Sequence, residues 1–574
     1  MRTRLPVHRY GFDDDCVEET SGSEDEEEIA EESGSGTSDV EERSDNESEN
    51  DEHVEDNEIR EAIPTWQFVD HETDWIAHND VLDMNFQFSG GWNENSNVPE
   101  TLEEFLGKML PDFLYENVAK WTNSRALIEE AKLALSNESP TKSWTNISTE
   151  EMKTFIGLTL LMGIIQKPTI HSYWSTEPMM CTKYFSQCMS RDRYESILRY
   201  LRFSDPYEVD PKVKNTRIRM FFEQIHIIIS SYSPAQNLSL DECLLLYKGR
   251  LMFKMFIRTK RARFGMKLFV LCDAQGYMLS CQLYFGAQTD FDVEGLRCDH
   301  LSKSERIVVI LLERAQLLDK GHIVHLDNWY MSLRLTLYLY SRKTGVRGTI
   351  RQNRGIPQEL QTKKLNKTEC AYMRSGPVLA VKYEDKKTVY LLSTVDTAEE
   401  IDKTRVLPGN VRRDYKKPTA INNYNLFMGG VDVTDQMISP LNCTRKTYAW
   451  FKKISLNCIQ RLLLNAYLIF KKEKAPNMSF FEFTKKSVAV LTGKESMALR
   501  GKQKKTVQQS CTTTERFHFA VLIPATEKKA APQKRCEHCK RKGMRKDTRY
   551  QCSGCQNPNL PALCLSCFEP FHRP

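Results

Sequence analysis

The stretch that most constrains this chain is Met266 to Asp273, MKLFVLCD. Four consecutive large apolar residues, Leu268 to Leu271, leave no polar face. The segment therefore fits a strand covered on both sides rather than one lying against solvent. Such a strand needs layers packed above and below its sheet. Asp273 falls where the chain leaves that core, ahead of a turn (Ala274, Gln275, Gly276) and a second run, Tyr277 to Phe285. A carboxylate at the mouth of a central strand is well placed to hold a metal. It is equally the ordinary first residue of a turn.

The strand–acid unit recurs. Ile323 to Asp327, IVHLD, is another short apolar strand ending in a carboxylate, with Asn328, Trp329 and Tyr330 next. A helix is expected over 304–318, another over 332–341, and a further strand over 346–351 that runs into Arg351, Asn353 and Arg354. Alternation of this kind implies a mixed sheet with helices packed on it. The switch to strands begins earlier, at 237–250, where Asp241 and Glu242 are two more acids near an apolar run. A basic run follows (Lys254, Arg258, Lys260, Arg261, Arg263, Lys267) that reads either as a solvated face or as a phosphate contact. Residues 378–383 and 388–394 alternate as a hairpin around the charged turn EDKK. Gly429 and Gly430 then open VDVTDQM, where Asp432 and Asp435, three apart, share one face of a helix. Acids at that place can serve as dipole partners. A third acid facing two strand-end acids is also what a two-metal site requires.

Helical patterning dominates on either side. Thr101 with Glu104 and Ser148 with Glu151 form capping-box signatures, and Pro111 is expected to split the run that starts at Thr101. Further helices are expected over 191–203, 221–229, 451–471 and 480–492. Arg445, Lys446, Lys452 and Lys453 lead into the third of these.

Charge and cysteine usage narrow the class of protein. The net charge of +3 conceals a split: Gly11 to Arg60 holds 23 Asp and Glu against 2 Lys and Arg, leaving 78 basic against 54 acidic residues elsewhere. A basic body with an acidic tail outlines a nucleic-acid binder. Residues 1–62 carry too few apolar groups to form a core, and no apolar run approaches the ~20 residues of a membrane helix. Eleven of the 17 cysteines are scattered, as in a reducing compartment, and six crowd the last stretch. Cys536-x-x-Cys539, Cys552-x-x-Cys555, Cys564-x-x-Cys567 and His572 have the paired spacing of tetrahedral Zn²⁺, in a zinc ribbon or a cross-brace. Seven ligands complete one site and three-quarters of a second, with His538 or a solvent molecule as the eighth. A RING-like module uses similar spacing.

Taken together, LSLDE at Leu238, VLCDAQGYM around Asp273, HLDNWY around Asp327, GTIRQNRGIP at Gly348, GGVDVTDQM around Asp432, CTRKTYAW at Cys443 and the closing CFEPFH resemble the piggyBac family of DNA transposases. The resemblance runs from about Pro99 to Pro574. It implies a multidomain α+β protein with an RNase H-like mixed α/β catalytic core, a β-rich insertion, a flanking helical domain and a Cys-rich zinc domain. By motif the catalytic aspartates fall on Asp273, Asp327 and Asp432, holding two Mg²⁺, with Asp435 as an assisting acid. Arg351, Arg354, Lys446, Lys260 and Arg261 are the expected DNA contacts, and one or two Zn²⁺ the expected content of the tail. The expected organisation is an acidic tail (1–62), an arm (63–98), a helical dimerisation and DNA-binding domain in two parts (99–265 and 441–498), the core (266–351 and 421–440), the insertion (352–420), a basic linker (499–534) and the zinc domain (535–574). The family implies a homodimer acting on double-stranded DNA at TTAA sequences by cut-and-paste transposition, in the nucleus and away from membranes. A descendant kept only for DNA binding is the alternative.

Overall fold

The structure is a computed structural model. It describes residues 66–69, 86–88, 90–92, 99–135, 143–210, 212–257, 264–286, 289, 298, 300–407, 410–494, 518–527, 529–553, 555 and 560–572. The acidic stretch, Lys260 and Arg261 lie outside these. The chain divides into two compact units, Met1–Leu499 and Arg500–Pro574. Among the described residues no helix is long and apolar enough to cross a membrane.

The strands of the first unit are β1 (Gln67–Val69), β2 (Gly91–Trp92), β3 (Tyr232–Ser233), β4 (Asn237–Leu246), β5 (Met255–Phe256), β6 (Phe264–Asp273), β7 (Met278–Leu283), β8 (Ile323–Leu326), β9 (Gly345–Thr349), β10 (Cys370–Ser375), β11 (Val378–Glu384), β12 (Thr388–Ser393), β13 (Glu400–Leu407) and β14 (Val411–Pro418). One sheet runs β1-β10-β11-β12-β9-β8-β4-β6-β5, with β7 also paired to β6. β6 is buried from Gly265 to Asp273, as its composition demands. Leu268, Phe269, Val270 and Leu271 are each at most 1% exposed, and burial of such a side chain contributes about 1.5–3 kcal/mol. β4 is antiparallel to β6 but parallel to β8, and β8 is parallel to β9. The parallel pairs require crossovers, which the helices Lys303–Arg314 and Leu333–Ser341 supply.

Two expected boundaries move. β4, grouped above with the helical segment, lies at the centre of the sheet between β6 and β8. Residues 352–420 are largely an extension of that sheet rather than a separate β-rich body. β12 pairs with β9, Leu392 opposite Gly348, and β11, β10 and β1 follow outward. A free β9 edge would present unpaired backbone groups, and the inserted hairpin covers it. Among the described residues of this segment, β13–β14 forms a ribbon apart from the sheet.

The helical layers follow their caps. Thr101 Oγ1 accepts from the Glu104 amide at 3.2 Å, and Ser148 Oγ from that of Glu151 at 3.2 Å. Pro111 separates Leu102–Met109 from Asp112–Leu135. The helix Trp450–Glu473 is buried almost all round rather than on one face. Several of its buried polar residues are paired inside. Asn465 clamps both the amide and the carbonyl of Met278 at 2.9 Å. Gln460 Nε2 donates to the Leu441 carbonyl. Buried polar groups cost little when so paired.

Candidate functional site

Strand direction decides which acids meet. Leu240 on β4 pairs with Leu326 on β8, and the two strands run parallel. The next residues are Asp241, within β4, and Asp327, one past the end of β8; continuing the register puts them on one face of the sheet with the strands about 4.8 Å apart. Asp273 belongs elsewhere. β6 runs antiparallel to β4, so Asp273 pairs with Leu238. It lies three residues back along β4 and one strand to the other side, about 14 Å from Asp327. Alternation also turns it to the opposite face from Asp241. Its Oδ1 accepts from the amides of Gln275 and Tyr277, both at 2.9 Å. At 3% exposure, burial pushes its carboxyl up, against those amides, which pull it down. Asp273 is the first residue of a turn, and the structure does not bring it to Asp327. The motif LSLDE carried the missing signal, since it places Asp241 inside an apolar strand.

The surroundings register both acids. Thr349 Oγ1 donates to Asp327 Oδ1 at 3.2 Å and lies 3.5 Å from the Tyr424 hydroxyl. The Tyr424 phenol is pushed up to about 12 by burial. Thr349 opposes this, while the carboxylates of Asp327 and Asp241 add to it. Tyr330 is raised further by burial, Glu242, Asp241 and Asp327, and its hydroxyl donates to Glu242 at 2.9 Å. Two residues back, the site face carries a buried polar row across the sheet: Ser239, His325, Arg347 and Ser393. Arg347 forms a bidentate pair with Asp396 at 2.6 and 2.7 Å. Burial, helped by Arg347, holds the His325 imidazole neutral, down to about 2.

The helix Gly430–Ile438 lies on this face and carries Asp432 and Asp435. Of the two glycines before it, only Gly430 is needed for close approach. A Cβ there would overlap the Asp273 carbonyl oxygen and the Ser239 hydroxyl, whereas Gly429 faces open space. Thr434 Oγ1 donates to the Gly276 carbonyl at 2.8 Å. Asp432 is exposed. Asp435 is held by Arg461, 2.6 Å away, whose guanidinium is 1% exposed and also reaches Cys243 Sγ at 2.8 Å. Cys243 is on the same face of β4 as Asp241, so Arg461 ties the helix to that strand.

The expected DNA contacts fall on varied ground. Arg354 donates to the Trp329 carbonyl at 2.9 Å, just past Asp327, and Arg351 is half-buried beside it. Lys446 is exposed, while its neighbour Arg445 is engaged with the Tyr173 hydroxyl and the carbonyls of Lys167 and Pro168. Lys267, of the basic run, is buried over the rings of Phe269 and Trp329.

In the second unit, β15 (Ala520–Leu522) pairs with β18 (Tyr550–Cys552) and β16 (Lys534–Arg535) with β17 (Asp547–Thr548). Around these strand pairs two groups of donor atoms gather, each within 4.8 Å: Cys536, Cys539, Cys564 and Cys567, and His518, Cys552, Cys555 and His572. Among the described residues these are the groups of three or more metal-ligating side chains gathered that closely. The pairs interleave along the chain, as in a cross-brace. The residue that completes the second group is His518, from the stretch read as linker; His538 packs on Phe571 instead. Cys539 Sγ lies 3.5 Å from Cys567 Sγ, His518 Nδ1 3.2 Å from Cys552 Sγ, and His572 Nε2 3.2 Å from Cys555 Sγ. A Zn–S bond of about 2.3 Å gives tetrahedral edges of about 3.8 Å, so both sets suit one ion each. His572 Nδ1 donates to the Phe568 carbonyl at 2.7 Å, which leaves Nε2 free to ligate.

The acid-bearing sheet falls within a known class. The family model described as Transposase IS4 matches residues 103–467, an interval holding Asp241, Asp327 and Asp432, so this is a transposase-family protein. Within that class the chain belongs to the piggyBac-type transposases. It is 23% identical over 495 residues to the human PiggyBac transposable element-derived protein 3, covering 84% of this chain and 77% of that protein. It is 24% identical over 342 residues to the human PiggyBac transposable element-derived protein 2, covering 57% and 56%. Its fold is similar to that in a cryo-EM structure of the piggyBac transposase synaptic complex with hairpin DNA, with TM-score 0.58 and 22% identity over 83% of this chain and 99% of that one.

Proposed function

We propose that the chain is a metal-dependent DNA transposase, cutting and joining strands at TTAA ends through hairpin intermediates, as a nuclear homodimer. The observation that carries this reading is the juxtaposition of Asp241 and Asp327 on parallel strands beneath the helix bearing Asp432. The strand order β7-β6-β4-β8-β9, an antiparallel meander followed by two parallel additions, supports an RNase H-like core. Asp241, Asp327 and Asp432 are the carboxylates assigned to Mg²⁺, with Asp241 in the place first given to Asp273. Two ions held about 4 Å apart would activate the attacking oxygen and stabilise the leaving one. Such a pair spaces its outer ligands more widely than one tetrahedral ion does. Thr349 orients Asp327, and Arg461 holds Asp435 as a strut for the Asp432 helix, leaving it out of the metal set. Arg351 and Arg354 sit past the second acid, where a DNA backbone would approach. The second unit, with two Zn²⁺ on its eight ligands, is assigned to DNA end recognition.

The test is excision from a plasmid carrying family-like ends around TTAA, together with Mg²⁺-dependent opening of a preformed TTAA hairpin. Asp241→Ala and Asp327→Ala should each abolish both activities, by 10³-fold or more, while Asp273→Asn keeps them within about tenfold. Loss in Asp273→Asn alongside activity in Asp241→Ala would reverse the assignment. A folded wild-type protein that opens no hairpin yet binds duplex DNA would be the non-catalytic alternative, consistent with relatives named as element-derived proteins.

A further inference from the structure

We propose that the ribbon β13–β14 is a contact for duplex DNA, taking the phosphate backbone on one of its two faces; the proposal rests on the DNA-handling reading above. The register sorts its charges. Glu400 pairs with Pro418, Asp402 with Lys416, Thr404 with Asp414 and Val406 with Arg412, so all three acids of the ribbon lie on one face. The other face takes the pairs Ile401–Lys417, Lys403–Tyr415, Arg405–Arg413 and Leu407–Val411, and holds no acid.

The two faces also differ in how their charges are met. On the acidic face, Thr404 Oγ1 donates to Asp414 at 2.6 Å, Asp402 stands opposite Lys416, and Glu400 accepts from Cys370 Sγ at 2.5 Å. On the cationic face, Lys403 and Arg413 are exposed, with Tyr415 half-buried between cations. Lys417, near the base, is half-buried and shares its surroundings with Asp385 and Lys403. Neither Lys403 nor Arg413 has an acid opposite it across the ribbon. Eight paired positions give a length of about 26 Å, and a two-stranded ribbon fits the major groove of B-DNA, about 12 Å wide. A cationic face with an aromatic at its centre matches a polyanion. An acidic protein surface would be met equally well by the mixed face, with its Arg412 and Lys416.

The test compares charge reversals of equal size on the two faces of the full-length protein. K403E/R413E alters the acid-free face, and R412E/K416E the opposite one; all four residues are exposed. Binding to a mixed-sequence duplex of about 30 base pairs is followed by fluorescence anisotropy across a salt series, with melting midpoints as the check on folding. The expected result for K403E/R413E is affinity weaker by tenfold or more at low salt and a log–log salt slope shallower by about 2, one unit per lost phosphate contact. R412E/K416E should stay within about twofold of wild type. Equal losses in both would reduce the effect to net charge and overturn the proposal, as would unchanged binding in K403E/R413E. Wild type that binds no duplex would instead remove the DNA-handling reading itself.

Discussion

Asp273 gives its Oδ1 to two amides of its own turn and is otherwise enclosed. Because burial lifts its carboxyl above the ordinary 3.8, the folded state binds that proton more tightly than the unfolded chain does. The stability it contributes is complete below the ordinary value and is lost as pH climbs through the raised one. Asn keeps the acceptor oxygen without the charge. Asp273→Asn should therefore gain melting midpoint relative to wild type as pH goes from about 4 to 7; an unchanged difference across that range would show that the carboxylate does not titrate there. Both Asp241 and Asp273 were visible in the sequence, each on an apolar run. What local pattern could not supply was direction. An acid at the end of an antiparallel strand and one beside the end of a parallel strand look alike until the pairing is known. His518 was hidden for a related reason: a ligand far from the others in sequence joins them only through strand pairing, here β15 with β18.

At the scale of elements, caps and breakers were legible because they act within four residues. Thr101, Ser148 and Pro111 begin or end helices where their chemistry requires. The extension of the sheet past β9 was not legible, since a hairpin looks the same whether it stands alone or joins a neighbour. The depth of the helix Trp450–Glu473 was not legible either, since Asn457, Gln460, Arg461 and Asn465 are polar residues of the kind that usually face solvent, yet each is buried. The seat of the helix Gly430–Ile438 can be tested directly. Gly430→Ala adds one carbon against the Asp273 carbonyl and the Ser239 hydroxyl. It should cost about 1–3 kcal/mol by overpacking and lower strand cleavage beyond what the lost stability explains, since it displaces Asp432 relative to Asp241. The same loss at Gly429, which faces open space, would argue for helix entry rather than close packing. Calorimetry paired with hairpin opening separates the two.

At the scale of the whole molecule, the two units rest on different physics: one on an extensive hydrophobic core, the other on a small cluster built around its cysteines. A domain held together by ligated metal unfolds when the metal is withdrawn. Zinc content of the purified chain should be about two per molecule and fall to about one in His518→Ala. Chelation should melt the second unit and leave the main calorimetric transition in place. An unchanged content in His518→Ala would return the eighth ligand to solvent. The position of Trp450–Glu473 bears on how the protein is made. Its Asn465 holds β7 and its Arg461 holds Cys243 of β4, so strands synthesised early wait for a helix synthesised late. After Asp327 leaves the ribosome, about 150 residues must follow before that helix is complete, roughly 7–30 s at ordinary elongation rates. During that interval one face of the sheet lacks that helix, and a chain cut short there would be a client for chaperones rather than a smaller folded protein.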